Sequence, residues 1–414
     1  MARSKRKAAK YDLVVWGATG FTGRLVAQYL FQRYGAGGDV NWAIGGRNAE
    51  RLAALGKELC GDEKGLPVLV GDSTDADSLD RIAAQTRVIC STVGPFALYG
   101  SEMVAACAGN GTDYCDITGE VQWIRRMIDA HQATAEASGA RIVNCCGFDS
   151  IPSDLGCLFL QDEMRQRHGS ACSEIGFRLR KARGAFSGGT VASLLNLMEE
   201  ARDDREVRRL LADPYALNPT GERSGPDGND QRAPAYDHDA GGWTAPFVMA
   251  AINTRIVRRS NALLDYQYGE GFRYSESVLC GSGPLGFATA SATAAALGAL
   301  LIGVGVAPTR MLLEKLFLPK PGDGPSASAR ERGFFDILLI GKNSDGELLR
   351  AQVYGDRDPG YGATSRMLGE AAVCLAMDDI DVGGGFWTPA SSMGFSLIER
   401  LETDAGVSFT IEAD

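Results

Sequence analysis

Residues 14–23 read VVWGATGFTG, a short apolar run that breaks into glycines at Gly17, Gly20 and Gly23. Val14, Val15 and Trp16 suit a buried strand. Gly17 lets the chain turn sharply off that strand. Gly20 lets backbone approach a pyrophosphate without a Cβ in the way, and Gly23 lets the next helix pack closely on the strand. The helix that opens here turns unpaired N–H groups and the positive end of its dipole toward the phosphates. The stretch Gly17, Ala18, Thr19, Gly20, Phe21, Thr22, Gly23 is therefore expected to cradle a dinucleotide. The spacing is GxxGxxG rather than GxGxxG. Its weight comes from its place, the first strand-to-helix turn of an alternating region.

Outward from that turn the alternation continues. Strand candidates are YDLVVWGA (11–18), NWAIGG (41–46), PVLVGD (67–72), RVICSTVG (87–94), TDYCDIT (112–118) and RIVNCCG (141–147). Helical patterns separate them: Leu25, Val26, Tyr29 and Leu30 in one, and Leu52, Leu55 and Leu59 in the next. Apolar strands between helices imply a parallel sheet covered on both faces. The fold class expected is α/β, an N-terminal Rossmann-type doubly wound parallel sheet followed by a mixed α+β domain.

The second strand selects the dinucleotide. It ends in IGGRN with no Asp or Glu to accept from a ribose 2′-hydroxyl. Arg47 stands where a guanidinium would pair with a 2′-phosphate and stack on adenine, and Asn48 and Arg51 follow. The cofactor read from this is NADP(H); otherwise Arg47 is a solvated residue at a helix start. Asp72 ends the third strand, as a hydrogen-bond acceptor for the adenine amino group, a helix cap, or both. Val93, Gly94 and Pro95 end the fourth, beside the nicotinamide ribose.

Composition narrows the setting. The chain has 414 residues, 45% hydrophobic and 23% charged, with a net charge of −10, so a nucleic-acid partner is not expected. None of its ten cysteines forms a CxxC pair, and Cys90, Cys145 and Cys146 lie in apolar strands. Buried thiols suit a reducing compartment, and Cys145–Cys146 is read as core rather than as a redox pair. His131, His168 and His238 match no metal-ligand spacing, so no metal is expected. The chain is placed in the cytoplasm, with a position peripheral to the plasma membrane as the alternative. Residues 1–10, MARSKRKAAK, read as a solvated basic arm.

The pattern changes after Pro152. A helix is expected over 190–212, then a Pro-, Gly- and Asp-rich loop over 213–247 with no periodicity, serving as a lid or lacking order. ALLDYQY (262–268) and FRYSESVL (272–279) read as strands, residues 334–355 as a hairpin turning at Asp345-Gly346, and 363–379 as a helix. Residues 277–309 carry no charge. They are read first as a buried or substrate-facing helix, then as a peripheral membrane contact through 286–307, and last as a span.

Together, GATGFTG, GGRN, STVGPFALYG, TDYCDITGE and GFDSIPSDLG resemble the saccharopine dehydrogenase-like oxidoreductase family, most closely its trans-acting enoyl reductase branch. GDRDPGYGATSRMLGEAAVCLA (355–376) and GGGFWTPASSMGFSLIERL (383–401) extend the resemblance from about Tyr11 to the last helix. It implies a nucleotide-binding domain over 11–152 and a substrate and dimerisation domain over 153–385, with a final helix, about 386–404, returning to the first domain. It also implies that Thr118, Gly119 and Glu120 lie at the mouth of the fifth strand in the cofactor site. The implied reaction is hydride transfer from NADPH to a double bond in a hydrophobic, lipid-linked acyl chain, in glycolipid assembly. A homodimer is expected.

An enoyl reduction needs a proton donor. Tyr99, Asp149 and Ser150 are the catalytic candidates; otherwise Tyr99 packs against the second domain, and Asp149 with Ser150 caps a helix. Two other readings stand beside this one. A saccharopine-type amino-acid dehydrogenase would clamp carboxylates with Arg178, Arg180, Lys181 and Arg183. A non-catalytic protein would bind a nucleotide and dock on lipid.

Overall fold

In the computed structural model, residues 9–61, 65–184, 188–305 and 324–413 are described. They form two compact units. The first runs to Phe148 and takes in Gly324 and Tyr361–Ala405. The second begins at Asp149, takes in Pro325–Gly360, and resumes at Gly406.

The first unit is built on β1 (Tyr11–Trp16), β2 (Trp42–Gly46), β3 (Val68–Val70), β4 (Thr86–Ser91), β5 (Asp113–Asp116) and β6 (Arg141–Val143). The interleaved helices are α1 (Phe21–Tyr34), α2 (Ala49–Cys60), α3 (Ala76–Ala84), α4 (Phe96–Tyr99), α5 (Ser101–Asn110) and α6 (Val121–Ser138). All six strands pair in parallel, in the order β6-β5-β4-β1-β2-β3. This is the doubly wound order, with its switch point between β1 and β4. Leu13, Val14, Val15, Ile44, Val88 and Ile89 are fully buried, as strands covered on both faces must be.

The second unit opens with α7 (Ile151–His168), β7 (Cys172–Arg183), α8 (Gly188–Asp203) and α9 (Arg205–Ala212). Then come β8 (Ala235–Asp237), β9 (Gly242–Pro246), α10 (Ala250–Leu263), β10 (Arg273–Gly281) and α11 (Gly283–Gly305). After α12 (Ala327–Glu331), β11 (Phe334–Asn343) and β12 (Leu348–Gly355) form the expected hairpin. Its mixed sheet has the order β14-β12-β11-β7-β10-β9-β8, where β14 is Val407–Ile411.

Several expectations are corrected. The helix expected over 190–212 breaks in two, because the Asp204 side chain accepts the Glu206 N–H and starts α9. The expected strand ALLDYQY is the end of α10 and a turn in which Asp265 and Tyr266 take positive φ. Residues 213–247 carry β8 and β9 and pack through buried Tyr215, Ala216 and Leu217. Buried arginines on α10 fasten that segment. Arg258 pairs with Asp227 at 2.7 Å, Arg255 pairs with Asp230, and Arg259 donates to the Leu217 carbonyl.

The C-terminal part also differs. The first unit resumes at Tyr361, not 386, so the helix α13 (Thr364–Met377) belongs to it. α13 is tied to α1 by buried Glu370, which accepts from Tyr29 (2.6 Å) and Tyr34 (2.8 Å). In place of one helix over 386–404 stand β13 (Gly385–Trp387), paired in parallel with β6, then α14 (Pro389–Ser392) and α15 (Gly394–Arg400). Gly394, at φ 48°, breaks the run. α11 is not buried. Leu285 and Ile302 are 79% and 72% exposed. Residues 1–8 of the basic arm and 306–309 of the uncharged segment lie outside the described residues.

Candidate functional site

The parallel strands bring the cofactor candidates to one edge of the first sheet. Gly17, Arg47, Asp72, Val93 and Thr118 follow the carboxyl ends of β1, β2, β3, β4 and β5 in turn. That edge is where open α/β sheets bind ligands.

The glycine turn is held from below. The Gly17 and Ala18 N–H groups donate to the Gly45 carbonyl at 2.9 and 3.2 Å, and Gly20 donates back to Gly17 at 2.9 Å. Gly17 has φ +86°, and a Cβ there would lie 2.6 Å from Val93. A Cβ on Gly23 would strike the Gly17 carbonyl and the Thr92 hydroxyl. Thr92 braces the turn, its hydroxyl donating to the Trp16 carbonyl at 3.1 Å. Gly20 at the N-cap has no side chain to cap α1, and the first turn holds no acid. By contrast, Asn48 caps α2 and Asp75 caps α3. A tight glycine cradle before an uncapped helix start fits a pyrophosphate.

The adenosine side is consistent. Arg47 is exposed and has no ion pair or hydrogen bond among the described residues, as is also true of the Arg51 side chain. Asn48 Oδ1 accepts the Arg51 N–H at 2.9 Å, which commits it to capping. Gly45 has a packing reason beyond the missing acid: a Cβ there would lie 2.8 Å from the Trp16 ring, which also reaches toward Gly71. Asp72 is not the cap of α3. Its carboxylate accepts from the Thr74 N–H and hydroxyl at 2.9 and 2.8 Å. Those bonds, with Arg47 nearby, hold its pKa below the ordinary value.

At the nicotinamide side Glu120 is buried and occupied. Its carboxylate accepts the Phe96 and Ala97 N–H groups, at 2.7 and 3.0 Å, so it caps α4 and fixes the turn at Gly94 and Pro95. The Thr118 hydroxyl accepts the Glu120 N–H at 3.2 Å, and Gly119 lies between them.

Two features were missed by sequence reasoning. Asp116 is buried at the end of β5. It accepts from the Thr118 and Cys145 N–H groups, Asn144 Nδ2 and the Tyr114 hydroxyl. Burial outweighs those donors and raises its pKa to about 6. The clamp locks Cys145 at φ 64°, beyond the end of β6. The other feature is Tyr361, 3% exposed, whose ring meets Phe21 of the glycine turn edge-on at 4.7 Å. Only an acid inside a strand, or a Pro-Gly-Tyr-Gly turn, signalled them.

The catalytic candidates differ in kind. Tyr99 ends α4 at an exposed position, its hydroxyl without a hydrogen-bond partner among the described residues. Ser150 is fully buried and donates to Asn253 Oδ1 at 3.0 Å. Asn253 in turn donates to buried Glu276 at 3.0 Å, which fixes its amide with the oxygen toward Ser150. Ser150 stands at the start of α7, yet its side chain makes no capping bond. The Asp149 carboxyl is half-buried with no hydrogen-bond partner among the described residues, and burial raises its pKa to about 6.

The fold and the cradle define an NADP-dependent oxidoreductase. The saccharopine dehydrogenase NADP-binding domain matches residues 13–143. A putative trans-acting enoyl reductase of Mycobacterium tuberculosis is 42% identical over 412 residues, covering 96% of this chain and 97% of its own. The trans-acting enoyl reductase of Mycobacterium ulcerans is 39% identical over 422 residues, covering 97% and 98%. The chain belongs to the trans-acting enoyl reductase family of saccharopine dehydrogenase-like proteins. An apo saccharopine dehydrogenase (L-Glu forming) from Saccharomyces cerevisiae shares the fold, with a TM-score of 0.53 at 13% identity over 97% of this chain and 99% of its own.

Proposed function

We propose that the protein reduces the conjugated carbon–carbon double bond of a hydrophobic, lipid-linked enoyl chain in glycolipid assembly. NADPH supplies the hydride to one alkene carbon, and a proton goes to the other. The observation carrying this reading is the state of Arg178 and Arg180, the two half-buried cations of the four on β7; Lys181 and Arg183 are exposed. Arg178 is paired with Asp237 at 2.5 Å, and Arg180 with Asp336 at 2.7 Å and Glu412 at 2.5 Å. A dicarboxylate substrate would have to displace those partners, whereas an acyl chain needs none of them. The names of the relatives point the same way.

Asp149 is the proton donor in this proposal. Its raised pKa leaves about half of it protonated at pH 6, where an ordinary Asp is ionised, and it has no hydrogen-bond partner among the described residues. The Asp149→Asn enzyme should oxidise NADPH with an enoyl thioester at least tenfold more slowly at pH 6, with unchanged NADPH affinity. The wild-type rate should fall as pH rises through about 6. Stability gives a separate signature. The folded pKa lies above the ordinary 3.8, so protonation favours folding, and this contribution is lost as pH rises from about 4 to about 6. Asp149→Asn should melt higher than wild type at pH 8 and match it at pH 4. Turnover of lysine with 2-oxoglutarate, and none with the thioester, would overturn the enoyl reading.

A further inference from the structure

A helix that is apolar all round belongs in a protein core or in lipid. α11 is apolar along Gly283–Gly303, with a mean hydropathy of 1.8, yet only 11% of its most apolar window is buried. A core helix would be covered, and a signal sequence would stand near residue 1 rather than 283. Its start is fastened to the sheet: Gly286 and Ala290 are buried, and Phe287 meets Trp243 edge-on at 4.7 Å. Opposite that seam, the described residues leave one side of it exposed. At 3.6 residues per turn, the exposed positions from Ile302 through Ala295, Ala299 and Leu285 to Leu300 sweep about 160° of the circumference. None of them is charged.

That arc selects the occupant. A helix of a second copy would cover a stripe of roughly 100° and leave the remainder wet. Lipid covers the whole arc. The topology then excludes a single crossing. α11 leaves from β10, and the chain is back in the same sheet at β11, with β7 between the two strands. A single crossing would place β10 and β11 on opposite sides of a bilayer, which their shared partner forbids. We infer that α11 is a monotopic membrane anchor, its uncharged outer arc lying in the acyl region of one leaflet. The inference does not depend on the reaction proposed above.

Apolar insertion should not need anionic lipid, and a chain of net charge −10 gains nothing from it. The test is flotation of the full chain with neutral phosphatidylcholine vesicles, and with vesicles containing anionic lipid, at low and high salt. The companion variant is Leu285→Glu with Ile302→Glu, at two exposed positions. Wild type should float with neutral vesicles at high salt. The double variant should lose at least tenfold of the bound fraction while keeping its NADPH-induced rise in melting temperature. Wild type left unbound by neutral vesicles would overturn the inference, as would binding confined to anionic vesicles and abolished by salt. A wild-type dimer that ignores vesicles and that the double variant dissociates would instead assign the arc to a second copy.

Discussion

After β2, Arg47 and Arg51 stand exposed with no side-chain acceptor among the described residues, whereas on α10 Arg255, Arg258 and Arg259 are buried and bonded to Asp230, Asp227 and the Leu217 carbonyl. The residue type is the same and the consequence is opposite. An arginine whose donors are spent inside the protein holds a fold together. One left unpaired beside a glycine turn is available to a phosphate. In this chain pairing separates the arginines that build the fold from those left available to a ligand.

The comparison breaks most visibly at Arg258. Arg258→Ala leaves the nearly buried Asp227 without its partner and removes the guanidinium that lies over the Tyr215 ring at 5.4 Å. Breaking a buried pair costs about 3–5 kcal/mol, so denaturant unfolding should show a loss of that size, with NADPH affinity of the folded protein unchanged. Arg47→Ala should do the reverse. Losing charge-assisted hydrogen bonds of about 1.5–3 kcal/mol should weaken NADPH binding by roughly 10- to 100-fold, leaving NADH binding and the melting temperature of the free protein as they were. Equal losses for both cofactors would sink the 2′-phosphate role.

Tyr361 sharpens the contrast with the smallest effect. Its ring supports the glycine turn through Phe21 and carries no charge. An aromatic pair is worth about 0.5–1.5 kcal/mol beyond burial, so Tyr361→Ala should weaken NADPH and NADH alike by a few-fold. Tyr361→Phe should restore both. A change in the NADPH-to-NADH ratio would show that Tyr361 acts on the adenosine end instead.

The first sheet was legible in the sequence because most of its first six strands are apolar runs ended by glycine or a polar turn. β13 was not, being three residues whose pairing with β6 depends on tertiary contact. The 213–247 segment read as structureless because its order comes from arginines on a distant helix, which local composition does not show. The site divides in the same way. The glycines and Arg47 follow from local backbone demands. The capping role of Glu120 and the clamp at Asp116 arise from pairings between separate strands and turns.

The strand ends on either side of α11 have a consequence for the length of the chain. β10 runs parallel to β7 and β11 antiparallel, so β10 finishes and β11 begins at the same end of β7. Two strand spacings, about 10 Å, separate those ends, a gap that roughly four residues can bridge. Residues 282–333 make that connection, α11 among them. The pairing of β7 with its two neighbours therefore does not require the length of chain that joins them.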